Sequence, residues 1–373
     1  MENDKNKRNW IIAIIVVFIV VFGGGYLMTR NNNTNQNNNN GGTVKSQDNV
    51  KIVANTASQL ILEDYSTSEF SMKKPQGWKV ENGGTGMYYA IKVYDPNETN
   101  NQIFLMLKMQ PLLKSTAGKA FWQNYYKLSG NNSQYKVFAD AVVLEKPTTE
   151  EFYKKFDEIG SYMNSIESTL STFNFPKFSN FAKLEESDSK ASMKSVALDS
   201  KVLRATFTGD NGKQGEGMFM ASIVNFGNQY QGGTDMLYYM AYDIMSITSA
   251  KDEFIDYKDI LLQSANSIEF SDAYVKKTID DGNAQTKQAL ALSASIQAAF
   301  DSYMQAWENR QTTYDIKSQK QSDATLGYER VYNTDTGEIY KAYNGFTDDY
   351  KGETYKSVTD EMYTQKTSGY IEK

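Results

Sequence analysis

The sequence predicts an α+β protein: antiparallel sheets with covering helices, carried behind one transmembrane helix and ending in a long helix and a small tyrosine-rich hairpin. Three observations lead there. Residues 10–28 form an apolar stretch without charge, residues 51–275 alternate period-two segments with amphipathic ones, and the last 51 residues carry eight of the chain's 26 tyrosines.

The apolar stretch, WIIAIIVVFIVVFGGGYLM, would span roughly 28 Å as a helix, close to the hydrocarbon thickness of a bilayer. Trp10 and Tyr26 sit where interfacial aromatics belong. A cleaved signal peptide would have a shorter apolar region and a small-x-small site. Here bulky Tyr26, Leu27 and Met28 follow the glycine trio, so a retained anchor is expected. Lys5, Lys7 and Arg8 precede the span and only Arg30 follows closely, which places residues 1–9 in the cytoplasm and the body outside the cell. Residues 31–50 begin NNNTNQNNNN and have nothing apolar to bury; they are expected to be a solvated tether with a reach of roughly 25 Å.

Composition excludes several classes of chemistry. The 373 residues contain neither cysteine nor histidine. Disulfides, thiolate nucleophiles, lipidated cysteines, histidine triads and the usual zinc and copper sites are therefore ruled out, and no cofactor or metal is implied. Net charge is −6, and the basic N-terminus leaves the remainder more acidic still. Without a basic stripe, nucleic acid is not an expected partner.

The body reads as a series of local elements. FSMKKPQGWKV places two short strands around a turn at Pro75–Gly77, with Trp78 as a core anchor. MYYAIKVYD (87–95) and QIFLMLKMQ (102–110) form a hairpin, with Ile103, Leu105, Leu107 and Met109 alternating against Phe104, Met106 and Lys108. Lys119–Leu128 reads as a helix and YKVFADAVVLE as a strand. Thr148, with Glu151 three residues on, caps a helix running to about Thr169. Segments 200–209, 216–227 and 235–249 form a meander, followed by a helix over Lys251–Gln263 and a closing strand, SIEFSDAYV.

The phrases FSMKKPQGWKV and ILLQSANSIEF resemble the opening and closing phrases of PsbP-like domains, with Pro75, Gly77 and Trp78 as the short motif. The resemblance covers about 62–275 and implies an antiparallel sheet between helices. It also implies a non-enzymatic accessory or assembly role beside membrane complexes. Because that stretch is longer than one such domain, either a large insertion spans 112–200 or there are two related halves with a boundary near 176–200.

Beyond the body, residues 276–322 are expected as one long amphipathic helix. Phe300, Trp307 and Tyr314 recur every seven residues, with Leu292, Ile296 and Tyr303 on the same face. That stripe either docks within the chain or self-associates. In the tail, 323–373, LGYERVYN and EIYKAYNGF flank TDTG as a hairpin. Tyr328, Tyr332, Tyr340 and Tyr343 are the binding candidates, as a ring platform for a protein or glycan at the cell surface. Their alternative use is as half-buried cross-strand pairs.

No catalytic signature emerges. Gly118-Lys119 and Gly212-Lys213 are followed by Ala and Gln, not the Ser or Thr of a phosphate loop. Ser71 to Lys74 and Ser187 to Lys190 match Ser-x-x-Lys, but no Lys-Thr-Gly accompanies them. Asn333, Asp335 and Glu338 lack calcium-loop spacing, and the doubled acids Glu185-Glu186, Asp252-Glu253 and Asp348-Asp349 cannot face each other across a cleft. The sequence thus points to a single-pass, membrane-anchored extracytoplasmic binding or assembly protein, with a carboxylate-dependent hydrolase of envelope polysaccharide as the alternative.

Overall fold

The computed structural model describes residues 50–280 and 313–373. The transmembrane and tether expectations, and most of the long-helix stripe, lie outside these residues. Among the described residues no helix is long and apolar enough to cross a membrane.

In chain order the strands and helices begin with β1 (Ile52–Ala54), α1 (Thr56–Gln59), β2 (Leu62–Ser66), β3 (Phe70–Pro75), β4 (Lys79–Gly83), β5 (Ala90–Tyr94) and β6 (Gln102–Leu113). A helical stretch follows: α2 (Thr116–Leu128), α3 (Ser133–Asp140), α4 (Thr149–Lys154) and α5 (Phe156–Ile166). Then come β7 (Ser179–Asp188), β8 (Ala197–Thr208), β9 (Gln214–Asn225), the small β10 (Tyr230–Gln231) and β11 (Thr234–Asp235), and β12 (Tyr238–Ala250). The chain continues through α6 (Phe254–Asn266), β13 (Glu269–Phe270) and α7 (Asp272–Asp280). The tail holds α8 (Thr313–Leu326), β14 (Tyr328–Asn333), β15 (Ile339–Tyr343), α9 (Phe346–Asp349), β16 (Tyr355–Ser357) and β17 (Gly369–Ile371).

The centre is one seven-stranded antiparallel sheet in the order β4-β5-β6-β12-β9-β8-β7. Strands from before and after the helical stretch meet where β6 pairs with β12, so both parts share this sheet. Its two faces explain why β9 and β12 are almost continuously apolar rather than alternating: both sides are covered. On one face Ile103, Leu105, Met218, Met220, Met245 and Ile247 pack under Phe254, Ile255, Leu261 and Ala265 of α6, with Phe70 and Met72 of the three-stranded sheet β13-β3-β2 alongside. Trp78 is buried in this layer, as a core anchor should be. On the other face Phe104, Leu203, Phe207, Phe219 and Ile223 meet Phe152, Tyr153, Phe156, Ile159 and Met163 of α4 and α5.

The meander and the hairpin form as the patterns predict, and four local expectations are corrected. YKVFADAVVLE is not a strand. Asn132 caps α3 by accepting from Gln134 N at 3.0 Å, and Tyr135, Phe138 and Ala139 share the helix face toward α2. Only Val143 beyond it makes a bridge, to Leu113. The Thr148 cap is real, with its hydroxyl accepting from Glu151 N at 3.2 Å, but the helix breaks at Lys155 into α4 and α5. The closing strand is cut to two residues because Ser271 Oγ accepts from Tyr274 N and starts α7. Met109 joins Phe104 and Met106 instead of Leu107: the alternation breaks between Leu107 and Met109, opposite the Tyr242–Met245 stretch of β12 where the pairing with β9 shifts register and Asp243 takes φ 51°.

The tail folds around a five-stranded sheet, β1-β17-β15-β14-β16, antiparallel except where β15 runs parallel to β17. The predicted hairpin is its centre, with Gly337 at φ 76° in the turn. One edge strand, β1, comes from the opposite end of the described chain: Ile52 pairs with Ile371 and Ala54 with Gly369.

Candidate functional site

The four tail tyrosines do not form one platform. Tyr340 is 6% exposed and lies in a small core with Val331, Ala342, Phe346, Tyr355 and Ile371, its hydroxyl donating to Glu338 Oε2 at 2.8 Å. Tyr328 and Tyr343 are partners across the hairpin, and Tyr332 sits opposite Ile339. Tyr328 contacts the Tyr370 ring at 5.6 Å, and Tyr343 meets Phe346 edge-on while its hydroxyl donates to Asp349. The cross-strand alternative describes these rings, because a hairpin at the centre of a five-stranded sheet has neighbours on both sides to pack against.

Arg330 lies in the same hairpin, 3% exposed. Its Nε donates to Asp323 Oδ2 at 2.6 Å, Nη2 to Gln319 and Nη1 to Tyr363 O at 3.2 Å, with the guanidinium 5.1 Å over the Tyr363 ring. Lys341 Nζ stands 3.9 Å from the same aspartate. This group fastens α8 to the sheet.

A hydrolase would need two carboxylates facing each other in an open cleft, one of them readily protonated. The groove between α6 and the tail, about 590 Å³, contains Asp256, Asp259 and Glu338. Burial pushes the carboxyls of Asp256 and Glu253 above their ordinary range. Yet Asp256 is already occupied: Oδ1 accepts from Thr367 N at 2.7 Å, and Oδ2 from Thr367 Oγ1 at 3.0 Å and Asn55 Nδ2 at 3.5 Å. Glu338 Oε2 accepts from Thr336 and Tyr340. Asp243, also raised by burial, accepts from Ser222, Ser192 and Met193 N and pins the 189–196 loop to β12. These acids act as latches.

The raised carboxyls have a measurable consequence. The folded chain binds these protons more tightly than the unfolded chain, so their contribution to stability is greatest below the unfolded carboxyl range. It is lost as pH rises through the raised folded values. Asp256→Asn keeps an acceptor for Thr367 N and removes one such proton site. Its melting midpoint is expected to fall less steeply than the parent's as pH rises from acid to neutral; equal slopes would show that Asp256 does not titrate in this way.

An exposed aromatic surface does exist, at the other end of the seven-stranded sheet. Ser115 caps α2 by accepting from Gly118 N at 3.0 Å, and Gly118 lets the helix start press on Asp235 O, 3.1 Å from where a Cβ would stand. The α2–α3 pair then brings its rings together. Trp122 stacks on Phe138 at 4.6 Å and on Tyr135 at 6.3 Å, and Tyr125 lies 5.9 Å from Phe121 and 4.7 Å from Tyr135. Phe138 continues the contacts to Tyr238 at 5.8 Å, and Tyr238 stacks on Phe226 at 4.5 Å with planes 8° apart. The outer members are open to solvent: Tyr125 is 42% exposed, Phe226 51%, and Tyr230, on the adjoining β10–β11 turn, 68%.

The turn beside this surface is held rigidly. Lys114 Nζ donates to Asp235 Oδ2 at 2.7 Å and Asn228 Oδ1 at 2.8 Å, and Trp122 Nε1 donates to Met236 O at 3.0 Å. The same segments carry exposed amides, Asn124, Asn131 and Gln229, along with exposed Lys127 and Lys136. A cavity of about 220 Å³ opens next to the rings between Tyr88, Phe138, Met163 and Tyr238. The arrangement offers flat apolar faces with hydrogen-bonding groups beside them and no pair of acids.

The aromatic density of AFWQNYYKL and QYKVF could have flagged this surface in the sequence. The strand assignment of the second segment hid it, because only a helix puts Tyr135 and Phe138 on one face. Among the described residues no three or more acidic side chains come together as a metal site. Comparison with known protein families and with curated protein sequences finds no match.

Proposed function

We propose that this chain is a membrane-anchored, extracytoplasmic binding module without catalytic activity, which holds a glycan strand on the aromatic end formed by α2, α3 and the β9–β12 connection. The observation that carries the reading is the continuous run of rings from Phe121 to Phe226, open at Tyr125 and Phe226, with exposed Tyr230 on the adjoining turn. Sugar rings present C–H faces that stack on such aromatics and hydroxyls that pair with neighbouring amides. The hydrolase alternative is weaker, because Asp256 and Glu338, two of the three acids in the groove beside α6, are committed to internal hydrogen bonds.

The test is retention of the full chain on insoluble peptidoglycan sacculi. Tyr125→Ala, Phe226→Ala and Tyr230→Ala together remove only exposed rings. They are expected to leave the melting midpoint nearly unchanged and to lower retention by about tenfold or more, at roughly 0.5–1.5 kcal/mol per ring. Unchanged retention would remove the aromatic end from the binding role. Retention that disappears when the sacculi are stripped of protein would move the partner from glycan to protein. Protease added to intact cells is expected to digest the body; a protected body would contradict the placement outside the membrane.

A further inference from the structure

The cavity of about 220 Å³ beside the aromatic end is smaller than the roughly 300–1,000 Å³ of sites for drug-sized ligands, a size that suits one substituent of a larger molecule. Its walls are mostly apolar, formed by Pro111, Val137, Phe138, Met163, Ile166 and Tyr238. The Tyr162 hydroxyl donates to Val137 O at 2.8 Å and ties α3 to α5, the two helices that supply Val137, Phe138, Met163 and Ile166. Phe138 and Tyr238 also belong to the run of rings, so a chain lying on those rings passes beside the cavity.

Two polar groups stand in this apolar lining. Gln110 Nε2 donates to the Tyr88 hydroxyl at 2.7 Å, and the other amide atom, Oε1, is buried without a partner among the described residues. Burial pushes the Tyr88 hydroxyl above its ordinary range, so it keeps its proton at neutral pH and, having accepted from Gln110, has that proton to give. A half-turn of the Gln110 amide exchanges its two atoms and still leaves the pair with one donor and one acceptor to offer. Glu167 is the one acidic side chain in the described lining, and its Oε1 accepts from Thr169 N at 3.3 Å and from Thr169 Oγ1 at 2.7 Å. An uncharged group with one N–H, one carbonyl and a methyl matches this set. Its methyl covers the apolar wall, and its amide meets a hydrogen-bonding atom that is costly to leave buried and unpaired.

We infer that the cavity takes the acetamido group of a sugar N-acetylated at C2, with Gln110 and Tyr88 pairing to its amide. The inference rests on the reading of the aromatic end as a glycan surface and names the class of glycan. A hydroxyl at C2 lacks the methyl and the carbonyl, and an ammonium at C2 gains only from Glu167.

Calorimetric titration of the full chain in detergent tests this with chitotetraose, its fully deacetylated form, and cellotetraose, which share one backbone and carry an acetamido, an ammonium and a hydroxyl group at C2. Chitotetraose is expected to bind about tenfold or more tightly than cellotetraose. Tyr88→Phe and Gln110→Leu are each expected to bring the two within about threefold of each other while cellotetraose binding stays unchanged. Equal binding of chitotetraose and cellotetraose by the parent chain would overturn the acetamido site and leave the aromatic end as a glycan surface. Tightest binding of the deacetylated form would overturn it by making Glu167 the deciding group, and a full preference for chitotetraose in both folded variants would overturn the roles of Tyr88 and Gln110. No binding of any of the three would overturn this site and the glycan reading together. Should neither variant fold, the three tetrasaccharides decide on the parent chain alone.

Discussion

Arg330→Met is expected to destabilise the protein by about 3–5 kcal/mol, measured as the loss of unfolding free energy in urea. The guanidinium and the Asp323 carboxylate are both withdrawn from water, with side chains 2% and 3% exposed. Removing one leaves the other as an uncompensated buried charge, together with an unsatisfied Gln319 oxygen and Tyr363 carbonyl. Lys341 is too far from Asp323, at 3.9 Å, to replace the paired guanidinium contacts. The pair Arg330→Met with Asp323→Leu separates causes. If the cost comes from the stranded charge, the double variant recovers much of it. If both fall equally, the loss is in packing of α8 on the hairpin.

Phe219→Ala should produce a loss of similar size, about 3–5 kcal/mol, by a different route. Phe219 is fully buried at the centre of the sheet, and its ring is met by Tyr153 at 5.0 Å, Phe178 and Phe181 at 4.9 Å, and Phe207 at 5.9 Å. Four rings cannot collapse into the vacated space without leaving their own contacts. Tyr153 is further restrained by its hydroxyl, which lies 2.7 Å from Met220 O and 2.8 Å from Met245 O where β9 and β12 shift register. Phe219→Leu, which refills part of the volume, should recover a substantial fraction. A loss under about 1 kcal/mol for Phe219→Ala would mean that the α4–α5 layer repacks freely. The two effects are expected to add, since one site lies in the tail and the other on the face under α4 and α5.

Much of the fold was legible where the signal is local. Strand alternation in β3, the long apolar runs of β9 and β12, the Thr148 cap and the Gly337 turn each depend on residues within a few positions of one another. Errors arose where two local readings compete. QYKVF has the β-branched and aromatic content of a strand, and the Asn132 cap decides for helix. SIEF continues as a strand pattern until Ser271 offers a hydrogen bond that starts α7.

The candidate site was less legible. The tail tyrosines had the composition of a platform, yet Tyr340 is core and Tyr328 and Tyr343 are a cross-strand pair. The rings that do face solvent come from α2, α3 and two turns more than 80 residues further on, and nothing in either segment names the other.

By itself, then, the sequence determined the chemistry unavailable to this protein and the periodicity of its segments, because both depend only on which side chains are present and in what order. It could say that a face is apolar. Whether that face is covered, as at Tyr340, or left open, as at Tyr125 and Phe226, was decided by tertiary structure, since exposure depends on what distant chain arrives to exclude water.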